Sequence, residues 1–257
     1  MDGAKVWRVT GTLAIVLVML AAGLQTWSAV VQQRTTTSKS YPIVIHRVRL
    51  ETGSAAVRLV AGEERQVVVR QRLDWMVRKP VVSATFDGDV LTVGMHCRQV
   101  LPLADLGCGA QIDLEVPAAT EVTGSVTSGS ISVEGLSGSV RMELTSGVLQ
   151  LADTSGEVWA RATSGLVQGS NLSAPRVTAR TTSGSVELVF GKAPHAVDVG
   201  ATSGSVTVTV PKGSRYALSS DIGSGSGRID PVLADSTSSD TIHTEVTSGS
   251  VTVGPSS

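Results

Sequence analysis

Side chains that could contact a ligand recur at equivalent places of a repeat in the second half of the chain. Arg141 and Glu143 occupy the same two places in one repeat as Trp159 and Arg161 in the next, and Arg180 matches Arg161 in the repeat after that. An indole ring can stack on a sugar, and guanidinium groups donate paired hydrogen bonds to acidic groups. These five residues form a candidate contact patch for a sugar or an anion. The alternative is a solvated face in which Glu143 and Arg161 form a ladder ion pair worth at most about 1 kcal/mol.

The two cysteines of the chain, Cys97 and Cys108, suggest a disulfide. The segment between them contains a proline and a glycine, which favours a loop, and outside the cytoplasm such a pair is expected to be oxidised. Closing a loop of this size stabilises a fold by about 3 kcal/mol in the chain-entropy model. Zinc is not expected, because only one histidine, His96, adjoins the pair and a closed site needs four ligands.

The repeated turns do not predict catalysis or a bound metal. They supply serine and threonine where calcium-binding rolls need aspartate, and no G-x-S-x-G segment opens a helix as in a hydrolase. We therefore expect no enzyme activity, no metal and no cofactor. The enzymatic alternative is a carbohydrate-active enzyme on a β-helix, which would need converging carboxylates on an outer sheet.

The triplet Thr-Ser-Gly indicates how the patch would be positioned, because it recurs along the chain after residue 121. Aliphatic residues stand seven residues before each corner glycine, and also two and four residues after most of them. Units of this kind bury an apolar face only by stacking, as in a solenoid. The corner glycines recur at nearly even intervals and are Gly129, Gly147, Gly165, Gly184, Gly204, Gly225 and Gly249.

Apolar residues alternate on both sides of each corner, but with opposite parity. Val140, Met142 and Leu144 precede one corner, and Leu149 and Leu151 follow it. A continuous strand would turn one of these sets into water, because strand side chains alternate with period two. Glycine allows the backbone to turn there, since it takes positive φ without steric cost. We further expect the serine before each glycine to point inward and bond the backbone.

These patterns predict an all-β chain whose residues 121–257 form a parallel β-solenoid of about seven coils. An antiparallel β-sandwich or meander is the alternative, because lesser glycines give a rhythm of nine residues. Strand-like segments within 41–120 are less regular and are expected to cap the stack, with the cysteine loop near the junction. At the carboxyl end, only Pro255 and the tail are expected to cover the last coil.

The amino-terminal residues predict export. Residues 9–31 carry no charge, and as a transmembrane helix they would span roughly 34 Å, enough for a hydrocarbon core of about 30 Å. Lys5 and Arg8 favour a short cytoplasmic segment, 1–8, and residues 32–40 favour a flexible polar linker. We expect a single-pass membrane anchor with an extracytoplasmic domain. Secretion after signal cleavage is the alternative.

Composition argues against nucleic acid as a partner. The formal net charge is −1, and lysine and arginine form no dense cluster that could neutralise phosphates. Aromatic residues make up only 3% of the chain, which favours thin layers of small and β-branched side chains over a rounded core.

Several of these features occur together in one known family. The repeated T-S-G-x-V corners, the D-L-E-V-P strand at 113–117, the upstream cysteine pair and the single amino-terminal apolar segment resemble the bacterial putative-adhesin β-repeat family, whose fold is called toastrack-like. The resemblance covers about 41–253 and implies a surface-exposed repeat domain of envelope proteins. Family members often carry aspartate after the corner glycine, whereas this chain carries mostly serine, so no aspartate ladder is expected.

The sequence therefore favours a non-enzymatic, membrane-anchored module for surface adhesion, interaction or envelope scaffolding. Its expected partners are the membrane and either cell-wall glycan or another envelope protein. Besides the carbohydrate-active enzyme, an envelope-stress sensor stays open. It would need a membrane partner, because only eight residues precede the apolar segment.

Overall fold

A computed structural model describes residues 33–75, 79–96 and 108–256, and these residues form an all-β structure. Within this part of the chain, no helix is long and apolar enough to cross a bilayer. The predicted membrane helix 9–31 and the segment before it lie outside the described residues. The strands are β1 (Gln33–Tyr41), β2 (Arg47–Thr52), β3 (Ala56–Gly62), β4 (Val67–Trp75), β5 (Val81–Asp87), β6 (Val90–His96), β7 (Cys108–Pro117), β8 (Glu121–Glu134), β9 (Val140–Ala152), β10 (Val158–Leu172), β11 (Arg176–Phe190), β12 (Ala196–Val210), β13 (Ala217–Ile229) and β14 (Thr241–Pro255), with one 3-10 turn at Pro231–Leu233.

Strands β8 to β14 stack in parallel, which confirms the solenoid and makes the antiparallel alternative wrong for this region. The register pairs each corner glycine with the next one in the stack, as in Gly147 with Gly165 and Gly165 with Gly184. Each strand contains one corner, so a coil has a first leg before its glycine and a second leg after it.

Both legs of a coil face one interior, as the parity of the apolar residues predicts. Val140, Met142 and Leu144 on the first leg of β9 are buried, and so are Leu149 and Leu151 on its second leg. Equivalent positions on the neighbouring strands are buried too, so that aliphatic side chains form continuous columns along the stack.

Glycine is required at the corners for two reasons. Six of the seven corner glycines have φ between 139° and 150°, which L side chains rarely adopt. The backbones of successive corners also approach closely: a Cβ on Gly204 would lie 1.7 Å from the carbonyl oxygen of Gly184. Gly225 lacks the positive φ but shares the close approach, since its Cβ would lie 2.1 Å from the oxygen of Gly249.

The prediction for the corner serines is wrong, because they point outward. The serine before each corner glycine is exposed, from Ser128 in β8 to Ser248 in β14. The threonine before it is exposed as well, except in β13, where glycine takes its place. The glycine turns the chain around a convex corner, and side chains next to such a corner diverge away from the interior.

The parallel stack begins earlier than residue 121. Strands β2 and β3 pair in parallel with the two legs of β8, and β6 and β7 pair in parallel with β2 and β3. Residues 47–62 supply one further coil and residues 90–96 with 108–117 supply the legs of another, although they lack the Thr-Ser-Gly corner. Antiparallel strands cover the end of the stack beyond them: β5 pairs with β6, β4 with β7, and β1 with β4.

The segment predicted as a flexible linker is a strand instead. Residues 33–41 form β1, which pairs with β4 over its whole length. Arg34 contacts Asp74 at 2.9 Å, and the ring of Tyr41 packs against Phe86 at 4.8 Å. The run of β-branched threonines suits an edge strand, and the polar composition is tolerated because this strand lies at the edge of the sheet.

The carboxyl end of the stack also differs from the expectation. Strand β14 lies between β12 and β13, so the terminal coil is β13 and not the end of the chain. Ile242, Val246 and Val251 of β14 are buried, whereas Leu218 and Ile222 of β13 are only half-buried. The more apolar strand takes the interior place, and the strand rich in serine and glycine takes the solvent edge.

Candidate functional site

The outward positions of the first legs form one continuous face, here called the first-leg face. It consists of the residues six, four and two places before each corner glycine, on β8 to β14. All six threonines in the third column are exposed, and they are Thr127, Thr145, Thr163, Thr182, Thr202 and Thr247. The predicted patch belongs to this face, since Trp159 pairs with Arg141 and Arg161 pairs with both Glu143 and Arg180.

Trp159 contacts another residue of the patch, Arg141. The Cζ atom of Arg141 lies 4.4 Å from the centre of the Trp159 ring, in a cation–π contact across β9 and β10. The indole is half-buried, so Arg141 covers part of the surface that a sugar would need for stacking. Trp159 therefore serves first as a platform for Arg141.

Arg180 is committed to two carboxylates. Its Nη2 donates to Asp198 Oδ1 at 2.8 Å, and its Nη1 donates to Glu245 Oε2 at 2.7 Å. Asp198 lies on the adjacent strand and Glu245 on the strand beyond it, and Gly200, which has no side chain, lies between Arg180 and Glu245. The hydrogen bond with Glu245 raises the pKa of the Arg180 guanidinium further above its usual range. Arg180 thus links β11, β12 and β14 through its two hydrogen bonds.

Arg161 is the available cation of the patch. It is exposed, and among the described residues no carboxylate lies within 4.0 Å of its guanidinium, so it forms no ion pair with Glu143. It lines two cavities on the first-leg face. One, of about 150 Å³, includes Thr182, Thr202 and Glu245, and the other, of about 290 Å³, includes Glu143 and further threonines.

The glycine at position 200 opens the smaller of these cavities. Gly200 lines this cavity, here called the recess, without a side chain of its own, and the Nη1 atom of Arg180 passes over it to reach Glu245. The recess offers guanidinium and hydroxyl donors together with carboxylate and hydroxyl acceptors. This mixture suits a polyhydroxylated ligand better than a simple anion.

A serine, a histidine and an aspartate that are far apart in the sequence lie side by side on the same face. Asp198, His243 and Ser219 occupy one column on β12, β14 and β13, and Ser219 Oγ lies 2.6 Å from His243 Nδ1. Asp198 is bound to Arg180 and makes no hydrogen bond with His243. The carboxylate is therefore not placed to orient the imidazole, as a serine–histidine–aspartate triad requires. The arrangement does not support acyl transfer.

Other charged side chains of the described residues form structural pairs. Arg47 with Glu121, Arg58 with Glu134 and Arg70 with Glu115 link neighbouring strands at the surface. These exposed pairs contribute little stability each. In the described part of the chain, no group of three histidine, cysteine, aspartate or glutamate residues could hold a metal ion. Cys97 of the predicted bridge to Cys108 lies outside the described residues.

Comparisons with known proteins identify the family. Three solved structures are similar over 86–87% of this chain and 97–100% of their own: a putative cell adhesion protein from Clostridium sporogenes (10% identity, TM-score 0.40), a putative adhesin from Bacteroides fragilis (10%, 0.41) and a putative adhesin from Parabacteroides distasonis (12%, 0.44). No curated protein matches the sequence. The family model described as Toastrack DUF4097 matches residues 79–254, from just before β5 to the end of β14.

The resemblance to the toastrack-like family is thereby confirmed, because the matched residues contain every Thr-Ser-Gly corner and the D-L-E-V-P strand. The match covers well over half of the sequence, and the chain belongs to the Toastrack DUF4097 family.

Proposed function

We propose that this protein is a non-catalytic adhesion or interaction module whose first-leg face binds a glycan of the cell envelope. The observation that carries the proposal is Arg161, a cation free of carboxylate partners among the described residues, which lies beside a recess lined by threonine hydroxyls and Glu245. Hydroxyl groups of a sugar can donate to Glu245 and accept from the threonines, and an acidic substituent can accept from Arg161.

The repeating geometry of the face favours a chain-like ligand over a single sugar. Threonine side chains recur on consecutive parallel strands, which lie about 4.8 Å apart. A polysaccharide lying along the stack would meet the same hydroxyl groups on several coils. Many weak contacts of this kind add up, because binding one segment of the ligand raises the effective concentration of the next.

Attachment to the membrane is part of the same proposal. The uncharged residues 9–31 end just before β1, which starts at Gln33 and is paired from its first residue. A membrane helix at 9–31 would therefore hold the repeat domain close to the bilayer, outside the cytoplasm. Fractionation of cells that produce the full chain tests this, and recovery of the repeat domain in the culture medium would favour cleavage and secretion instead.

The binding proposal is tested with Arg161→Ala in the full chain, purified in detergent. Purified cell-wall polysaccharides are immobilised and the retention of the wild-type chain and the variant is compared. We expect at least a roughly tenfold loss of affinity, the size expected when a hydrogen bond to a charged group is lost. Arg65→Ala is the matched control, because Arg65 is exposed in the turn between β3 and β4, away from the first-leg face.

Two results would contradict the proposal. One is retention of every polysaccharide by Arg161→Ala at the wild-type level. The other is an equal loss for Arg65→Ala, which would indicate a general effect of positive charge and not a site. Release of reducing ends from the polysaccharide would favour the enzymatic alternative.

A further inference from the structure

The terminal strand β13 leaves one edge of the sheet open. In the described residues, the strand order ends at β13, and only Tyr216, just before this strand, is bridged on that side, by Ala234. An edge of this length presents unpaired N–H and C=O groups to solvent. The strand contains three glycines and four serines between Ala217 and Ile229, so few bulky side chains shield the edge.

The hydrogen-bonding groups at the open edge belong to the inward-facing residues. Ala217 donates its N–H to Asp240, on the β14 side, and Asp230 donates to Val253 of β14. Because N–H and C=O groups alternate along a strand, Ser220 and Ile222 on the first leg direct theirs to the open edge. On the second leg, Gly227 and Ile229 do the same.

The interior is incompletely covered at this edge. Leu218, Ile222 and Ile229 pack against the core but are only half-buried, whereas the equivalent residues of β14 are buried. Gly227 stands where every other coil of the β8–β14 stack has an aliphatic residue, and the side chain of Ile222 leans over the gap. The end of the stack is therefore a partly apolar surface framed by polar residues.

We propose that two copies of this chain pair through β13 in an antiparallel, twofold-symmetric contact. The symmetry axis passes between Ser224 and Gly225, at the corner. Asp221 of each copy then lies opposite the partner's Arg228, so the contact contains two equal ion pairs. The partner is a second copy because β13 is complementary to itself in this register.

Three features agree with this register. Inward residues oppose inward residues: Ile222 faces the partner's Gly227 and Ser220 faces the partner's Ile229, so two large side chains never oppose each other. These residues carry the free N–H and C=O groups, so each opposed pair can exchange both hydrogen bonds of an antiparallel ladder. The axis at the corner makes the two bends coincide, so that the first leg of each copy follows the second leg of the other.

The contact joins two stacks end to end and continues their interior. The residues that follow Leu233 cover Tyr216, so pairing is confined to about residues 219–229.

A twofold axis that bisects the corner keeps the corners of both copies on one side. Gln33 is in register with Trp75, which pairs with Cys108 at the corner end of β7, so β1 of both copies begins on that same side. Two anchored copies could therefore pair within one membrane.

Cysteine cross-linking of the full chain tests the register. Asp221 and the partner's Arg228 would form a non-hydrogen-bonded pair, with Cα atoms about 4.5 Å apart, within the range of a disulfide. The double variant Asp221→Cys/Arg228→Cys is oxidised in detergent and separated on a non-reducing gel. We expect at least ten times more covalent dimer than from either single variant or from Asp221→Cys/Ser226→Cys, which is out of register. Equal dimer yields from all four variants would overturn the proposal.

Charge reversal tests the same contact without cysteines. Asp221→Arg and Arg228→Asp should each weaken dimerisation at least tenfold in sedimentation experiments, because each brings like charges together. The double variant Asp221→Arg/Arg228→Asp should restore the wild-type dissociation constant. A wild-type chain that stays monomeric at all concentrations, or a double variant no better than the single ones, would overturn the proposal. Circular dichroism spectra show whether each variant is folded.

Discussion

At the scale of single residues, the corner glycines combine a backbone constraint with a packing constraint. The positive φ lets both legs of a coil face the interior, and the lack of a Cβ lets the corners stack. Gly213 has a positive φ but no atom near the place of a Cβ, and Gly254 has neither constraint. Comparing these three kinds of glycine therefore separates the effect of positive φ on stability from the effect of close packing between corners.

Alanine substitution at the three kinds of glycine should give graded losses of stability. Gly165→Ala should lower the free energy of unfolding by about 3 kcal/mol or more, because the new Cβ would lie 2.0 Å from the Gly147 carbonyl oxygen. Gly213→Ala should cost about 1 kcal/mol from strain alone, and Gly254→Ala should be nearly neutral. Urea denaturation of the full chain measures the order. Equal losses at Gly165 and Gly213 would show that close stacking of the corners contributes nothing.

A second residue-scale prediction concerns Asp235, in the segment beside Tyr216. The hydroxyl and the backbone N–H of Thr237 donate to its carboxylate and lower the pKa of Asp235 below its usual 3.8. The group is more acidic in the folded chain, so its contribution to stability is present above about pH 4 and is lost as the pH falls through the lowered pKa. Thr237→Val should move this pKa up towards the ordinary value in an NMR titration. Thr207→Val, on the outward side of β12, is the control, and an unchanged Asp235 pKa in Thr237→Val would contradict the assignment.

At the scale of elements, β1 shows how a polar sequence can still form a strand. Its residues have no apolar alternation, which is why the sequence indicates a linker, but β4 offers a complete row of backbone partners. Edge strands need only one such row, and charged or hydroxyl side chains there reduce aggregation. The strand therefore depends on its neighbour more than on its own composition.

Hydrogen exchange distinguishes a paired β1 from a linker. The paired amides of residues 34–41 should exchange at least ten times more slowly in the folded chain than in an isolated peptide of the same sequence. Asp74→Ala removes the contact with Arg34 and should speed exchange mainly at the start of β1. Exchange at the peptide rate throughout 34–41 would restore the linker interpretation.

The two ends of the stack differ in the strands that cover them. Antiparallel strands cover the amino-terminal end, where β4 and β5 reverse direction against β7 and β6 and β1 forms the last edge. At the other end, β13 keeps the parallel direction and stays open. The interval between Gly225 and Gly249 is the longest between successive corners, and the 3-10 turn occupies part of the additional length. That longer connection lets the chain return and place β14 inside β13.

At the scale of the whole molecule, the stack is a nearly one-dimensional structure in which each coil contacts its two neighbours. The coils of β9, β10 and β11 have matched corners and matched apolar columns. Stability of such a structure is close to a sum over coils and their interfaces. Removing a whole coil should therefore preserve the remaining contacts, whereas removing half of one should destroy the register.

Deletion of residues 148–165 tests this modularity. The deletion joins Gly147 to Leu166, keeps one corner and removes one coil, so the variant should fold and shorten the stack by about 4.8 Å. Deletion of residues 148–156, half a coil, would leave the corners Gly147 and Gly165 only nine residues apart, out of register with the corners of the neighbouring coils, and should prevent cooperative folding. Circular dichroism and small-angle scattering measure folding and length. Failure of the whole-coil deletion under conditions where the full chain folds would contradict an additive stack.

Much of this architecture could be predicted from the repeat. The columns aligned on the corner glycines match the strand register residue by residue, because a backbone that stacks in parallel needs the same residue type at the same place in every coil. The patch residues Arg141, Trp159 and Arg161 are brought together for the same reason. Their partners could not be predicted, since side-chain contacts across strands depend on which rotamers and which gaps, such as Gly200, lie beside them.

The sequence alone determined the elements that repeat: all-β structure, parallel coils, glycine corners and membership in a toastrack-like family. These follow from local rules of side-chain periodicity and backbone freedom, which every coil repeats. Only the tertiary structure decided the features that the repeat does not specify. These are the pairing of β1, the outward orientation of the corner serines, the place of β14 between β12 and β13, and the proximity of Asp198, His243 and Ser219. Such features depend on competition between whole strands for buried places, and no single stretch of sequence contains that comparison.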